Sequence, residues 1–172
     1  VGTPGDDYLI GTNGGDLLDG GGGYDQLLGL AGDDVLIGGT GDDRLDGGSG
    51  DDTYIFAIGD GFDTVREGAL SPDAGGVDTV KLLAGYDPAT TQLYRYRNDL
   101  VIRSPGGDEI NVQEHFGSYL DGSTRAAIEQ IVFADGTIWN AEAIANRVAA
   151  LNSNQITEYG DTVVGTSGTD FL

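Results

Sequence analysis

From Gly2 to Ile55 one large apolar side chain recurs at every ninth position: Leu9, Leu18, Leu27, Leu36, Leu45 and Tyr54. The units around them run without insertion or deletion as GTPGDDYLI, GTNGGDLLD, GGGGYDQLL, GLAGDDVLI, GGTGDDRLD and GGSGDDTYI. Each divides into six polar, glycine-rich residues and three residues with an apolar centre. The first part has the chemistry of a turn, because glycine admits positive φ and close backbone approach. The second is long enough only for a very short strand, with one side chain inward and two outward. A single unit buries nothing useful. Stacked units would join their eighth-position side chains into a continuous apolar ladder, so the pattern predicts a solenoid.

Glycine holds the first and fourth places of every unit, and aspartate the sixth: Asp7, Asp16, Asp25, Asp34, Asp43 and Asp52. Stacking would line these carboxylates up in two columns, where like charges repel. Residues 1–66 contain fourteen acidic and two basic residues, a net of −12. A hard cation between successive turns resolves the conflict, taking carboxylate oxygens and the carbonyls that glycine turns leave free. Calcium suits such a site because it accepts six to eight flexible oxygen ligands, whereas magnesium demands tight octahedral geometry and keeps its water. Softer metals are disfavoured, since the chain has no Cys, no Met and a single His.

With their glycines and aspartates in this register, the six units resemble the nonapeptide of the RTX (repeats-in-toxin, haemolysin-type calcium-binding) family. The resemblance implies a mainly β fold, a right-handed parallel β-roll with two nonapeptides per turn and odd and even units on opposite sheets. It further implies Ca2+ ions between turn n and turn n+2, held by sixth-position aspartates and turn carbonyls. Asp7 would pair with Asp25, Asp16 with Asp34, Asp25 with Asp43, and Asp34 with Asp52. The backbones of Gly21, Gly23, Gly32, Gly39, Gly41, Gly48 and Gly50 are the candidate carbonyl donors. About four to six ions are expected. At the fifth place the family uses mainly backbone, so Gly15 and Tyr24 there imply no lost ion.

Two degenerate units continue the register. Residues 58–66 restore Gly61, Asp63 and Val65, and residues 73–81 restore Gly76, Asp78 and Val80. Asp63 and Asp78 are thus either further ligands or turn caps. Beyond Leu82 the glycines thin out and a small α+β flanking segment follows. Asp87-Pro88 has the form of an N-cap and first helical residue. Leu93–Arg97, Asp99–Arg103 and Glu109–Val112 are strand-like. A hairpin is expected around Asp135-Gly136, then a helix capped by Asn140 with Ala141, Ile144, Ala145, Val148 and Leu151 on one face. Residues 98–116 and 128–139 are similar to the haemolysin-type calcium-binding-protein-related region. The expected division is 1–82 for the roll, 83–160 for the flanking region and 161–172 for a further repeat. That last stretch, ending GTSGTDFL, is alternatively part of a type I secretion signal. The even sheet carries the outward pairs Val35/Ile37 and Thr53/Ile55, so it is the face expected to be covered, by the second half.

A net charge of −21 and a pI near 4.1 argue against nucleic acid and anionic membrane as partners. No stretch approaches a membrane span, and the absence of cysteine leaves calcium as the staple. Both ends cut into repeat-like sequence, which suggests a module excised from a larger polypeptide. Its resemblance to RTX proteins implies a secreted bacterial protein exported by a type I apparatus. It also implies a module that is not itself catalytic, serving an enzyme such as a protease, lipase or alginate epimerase, or acting as spacer in an adhesin or toxin. Gly106–Glu109 is better explained as a hairpin turn than as a cyclase signature, and His115 as a structural histidine than as a base.

Overall fold

The computed structural model describes residues 1–67, 76–117 and 127–155. The expectation for residues 165–172 lies outside these, as does the side chain of Leu151. In chain order the roll contains β1 (Tyr8–Ile10), β2 (Leu17–Gly22), β3 (Gln26–Ala31), β4 (Val35–Thr40), β5 (Arg44–Ser49), β6 (Thr53–Phe56), β7 (Phe62–Val65) and β8 (Thr79–Leu82). The second half adds β9 (Gln92–Tyr96), β10 (Asp99–Arg103), β11 (Glu109–Val112), β12 (Gln130–Phe133), β13 (Ile138–Asn140) and α1 (Ala141–Gln155).

Odd and even units fall on opposite sheets, ordered β1-β3-β5-β7-β11-β10-β9 and β13-β12-β8-β6-β4-β2. Neighbours within the roll are parallel, and the register follows the repeat. Leu9 lies beside Leu27, Leu27 beside Leu45 and Leu45 beside Val65 in one sheet. Leu18, Leu36, Tyr54 and Val80 align in the other. These side chains face each other between the sheets as one buried ladder from Leu18 onward, with Leu9 partly buried at the end. The protein is thus a two-sheeted parallel β-roll. Strands β2 to β5 run longer than the three residues expected, because stacked glycine segments pair as well: Gly21 with Gly39, and Leu30 with Gly48.

The second half extends the roll end-on. Strand β11 adds parallel to β7, with Val112 beside Val65, and β12 adds parallel to β8, with Ile131 beside Val80. The antiparallel strands β10, β9 and β13 then finish the two sheets. Helix α1 packs on β9 and β13 and closes the end, burying Ile144 and Val148 while Ala141 and Ala145 stay exposed. Its Asn140 cap accepts the Ala143 N–H at 2.9 Å. The expected cover on the even sheet is not found among the described residues. Val35 and Ile37 are only half-buried by their own sheet neighbours, since the second half meets the roll through strand edges. Nor does Asp87-Pro88 start a helix. Asp87 closes a single turn instead, accepting the N–H groups of Thr90 and Thr91, and no apolar face follows to hold a helix down.

Candidate metal centres

Stacking puts the sixth-position aspartates in two columns at the corners of the roll. In each, one carboxylate oxygen reaches back one turn to the backbone. Asp7 N–H donates to Asp25 Oδ1, Asp16 to Asp34, Asp25 to Asp43 and Asp34 to Asp52, all at 2.7–2.8 Å. The degenerate units join the same columns: Asp43 N–H donates to Asp63 Oδ1 at 3.0 Å and Asp52 N–H to Asp78 Oδ1 at 2.9 Å. The pairs expected from the spacing are therefore neighbours in space.

The second oxygen is the telling one. Asp25, Asp34, Asp43 and Asp52 are at most 2% exposed, and the Oδ2 of each has no hydrogen-bond partner. A buried carboxylate oxygen left so is costly unless a cation meets it. The first-place glycines leave the room. A Cβ on Gly20 would stand 2.6 Å from the Gly38 carbonyl oxygen and closer still to Asp25 Oδ2. On Gly29 it would stand 2.6 Å from the Gly47 carbonyl oxygen and again closer to Asp34 Oδ2. Glycine there lets each carboxylate close down on the backbone with a carbonyl of the next turn nearby, so oxygens of both kinds gather at one corner, the donor set that calcium takes. The residues present fit a calcium ion.

Asp7 and Asp16 differ. Thr3 and Thr12 stand where later units carry residues of positive φ, and they donate their N–H to Asp7 Oδ2 at 2.5 Å and Asp16 Oδ2 at 2.6 Å. The proposed carbonyl donors Gly21, Gly23, Gly32, Gly39, Gly41, Gly48 and Gly50 all have positive φ. Gly21, Gly23 and Gly32 turn their carbonyl oxygens toward the equivalent glycine of the next turn. The carbonyls of Gly38 and Gly47, first-place glycines absent from the sequence expectation, lie near Asp25 and Asp34 Oδ2. Fifth-place side chains also do more than expected. Asp6 accepts the Tyr24 N–H and Asp33 the Asp51 N–H, capping the next turn.

Two acidic residues were missed. Glu129 ends the even column, accepting the Asp78 N–H at 2.8 Å. Its Glu-x-apolar spacing to Ile131 matches that of Asp78 to Val80, which was the available signal. Glu67 stacks beyond Gly47, in the place of a first-position glycine, and lies with Asp52 and Asp78 in one buried group. The odd column instead stops at Ile110, which pairs with Asp63. His115 is buried, its Nδ1 accepting the Ile128 N–H at 3.3 Å, and burial lowers its pKa to about 4.

Burial, and then neighbouring carboxylates, push these acids up: Asp43 and Asp52 to about 6, Asp78 to about 7 and Asp63 to about 8. A folded pKa above the unfolded value means that the fold holds protons more tightly. Its stability without metal is therefore fully present below about pH 4 and lost as pH rises through 6 to 8. The metal-free chain should gain strand circular dichroism on acidification from about pH 8 to pH 5. A signal unchanged over that range would count against the buried columns.

The RTX calcium-binding nonapeptide repeat model matches residues 1–27 and 28–65. The repeat region belongs to the RTX calcium-binding family. The haemolysin-type calcium binding protein related domain matches residues 99–143. The RTX segment is thus a calcium-binding repeat module, non-catalytic in itself. No curated protein matches the chain. Among solved structures it is similar to the AlgE6R3 subunit of the Azotobacter vinelandii mannuronan C5-epimerase, at 25% identity and a TM-score of 0.50, covering 100% of this chain and 93% of that one. Among the described residues no helix is long and apolar enough to cross a membrane.

Proposed function

We propose that this RTX module is part of a larger secreted bacterial protein and folds when it meets extracellular calcium after export, in an expanded state, through a type I apparatus. The observation that carries this is the set of four buried, unpartnered Oδ2 atoms in an acidic chain. At low calcium the aspartate columns oppose folding, and outside the cell about 10⁻⁴–10⁻³ M calcium, typical of extracellular modules, neutralises them. The ligands are Asp7, Asp16, Asp25, Asp34, Asp43, Asp52, Asp63 and Asp78 with turn carbonyls, holding about four to six ions. We assign 1–82 to the roll, 83–160 to its end cap and 161–172 to a further repeat.

Central aspartates are shared between two ions, and terminal ones are not. Asp34→Asn and Asp43→Asn should each lose two ions and Asp7→Asn one, counted by native mass spectrometry during calcium titration. Equal loss in all three would refute shared ligation. The structural likeness to an epimerase subunit favours a second reading, in which the module serves a secreted enzyme whose chemistry lies elsewhere in the polypeptide. A catalytic domain in the parent sequence supports it, and long tandem arrays without one would point to a spacer.

A further inference from the structure

At the capped end of the even column the repeat breaks its own rule in two adjacent places. Tyr54 replaces leucine at the eighth position, and Glu67, two residues beyond the Leu45–Val65 pair, falls in the register of a first-place glycine. The two side chains meet. Tyr54 Oη accepts the Gly47 N–H at 2.7 Å and donates to Glu67 Oε1. That anchors a buried glutamate, only 2% exposed, beside Asp52. Glu67, Asp52 and Asp78 each offer an oxygen within 4.8 Å of the others. Glu67 Oε2 and Asp52 Oδ2 are both buried without any partner.

A neutral Glu67 merely plugging the column is the competing explanation. Its proton would then be shared with the neighbouring carboxylate of Asp52 or Asp78, and such a plug binds no ion, so calcium titration separates the two. We propose that Asp52, Glu67 and Asp78 form a site for a hard divalent cation at the end of the even column, with Glu67 as a side-chain ligand found nowhere in the six regular units. This rests on the calcium reading of the columns and adds a site of different composition. Affinity rises with ligand charge and site rigidity. Three carboxylates, one of them fixed by a tyrosine hydroxyl, exceed what a regular turn offers, so this site fills first. An all-oxygen donor set selects calcium or a lanthanide over zinc or copper.

The test is calcium titration of the whole chain by calorimetry and native mass spectrometry, comparing wild type with Glu67→Gln. The variant should lose the first ion to bind, or bind it at least tenfold more weakly, while the remaining ions and the dichroism in saturating calcium are unchanged. Terbium alone supplies a second measurement that does not need that variant to fold. On tyrosine excitation the first equivalent should luminesce in wild type, and Tyr54→Phe should abolish that first-equivalent emission. If wild type binds no calcium, the reading of the columns fails as well. If Glu67→Gln keeps every ion at wild-type affinity, or Tyr54→Phe keeps the first-equivalent emission, the columns stand and the Glu67 site is overturned.

Discussion

Removing calcium with a chelator at pH 7.5 is expected to unfold the roll. Four aspartate oxygens of the columns are buried without partners when no ion is present. Each buried, unsatisfied charged group costs about 3 kcal/mol or more. Four of them amount to about 12 kcal/mol, comparable with the whole stability of a typical domain, about 5–15 kcal/mol. Nothing basic offsets them, since the first 66 residues hold only Arg44 and Arg66. In chelator the strand signal in far-ultraviolet dichroism should disappear, and the radius of gyration should rise toward the roughly 44 Å of an expanded 172-residue chain. Both should return when calcium is restored in excess. A chain that keeps its strand signal and compact size in chelator at this pH would contradict ion-coupled folding. The acid effect gives an internal check, because protons and calcium relieve the same carboxylates. Lowering the pH in chelator should recover part of what calcium recovers.

Where one residue type answers one geometric demand, the sequence was legible. Leu27, Leu36 and Leu45 recur every nine residues because each half-turn presents one inward side chain on alternate sheets, so every second one stacks on its predecessor. Their contacts, and the columns of Asp25 and Asp34, followed from counting. Asp63 and Asp78 could be carried into the columns because Val65 and Val80 kept the same two-residue offset. The flanking half was less legible for a physical reason. Val112 and Ile131 continue the apolar ladder, but β11 and β12 join antiparallel strands, so no repeat marks them as further turns. The outward pair Val35/Ile37 suggested a covering layer, yet a parallel roll grows at its end, where open strand edges need partners more than apolar face residues need cover. Glu67 escaped notice because it occupies a glycine's place. Only the pairing of Arg44 with Thr64 and Leu45 with Val65, followed two residues on, sets it beyond Gly47.

The glycines at the first place offer a sharp test of the ion cradle, because a methyl group can be added there without removing any charged group. Gly29 has no positive φ, so alanine is conformationally acceptable at that position. Its Cβ would nonetheless meet Asp34 Oδ2 and stand 2.6 Å from the Gly47 carbonyl oxygen. Gly47 belongs to β5, where Asp46 and Gly48 on either side of it pair with β3, so its backbone has little freedom to retreat. The methyl group therefore drives Asp34 Oδ2 out of the position from which it would meet an ion between these turns. Overpacking of this kind costs about 1–3 kcal/mol by itself, and the lost ion adds to it. A total of about 3 kcal/mol lowers Tm by roughly 6–12 °C in a chain of this size. Gly29→Ala should show that drop in saturating calcium and bind at least one ion fewer by native mass spectrometry. Gly14→Ala is the matching control, since a Cβ there meets nothing within 4 Å and its φ is not positive. It should keep every ion and a Tm within a few degrees of wild type. Should Gly29→Ala bind the full complement with the wild-type Tm, Asp34 Oδ2 in this position is not a calcium ligand.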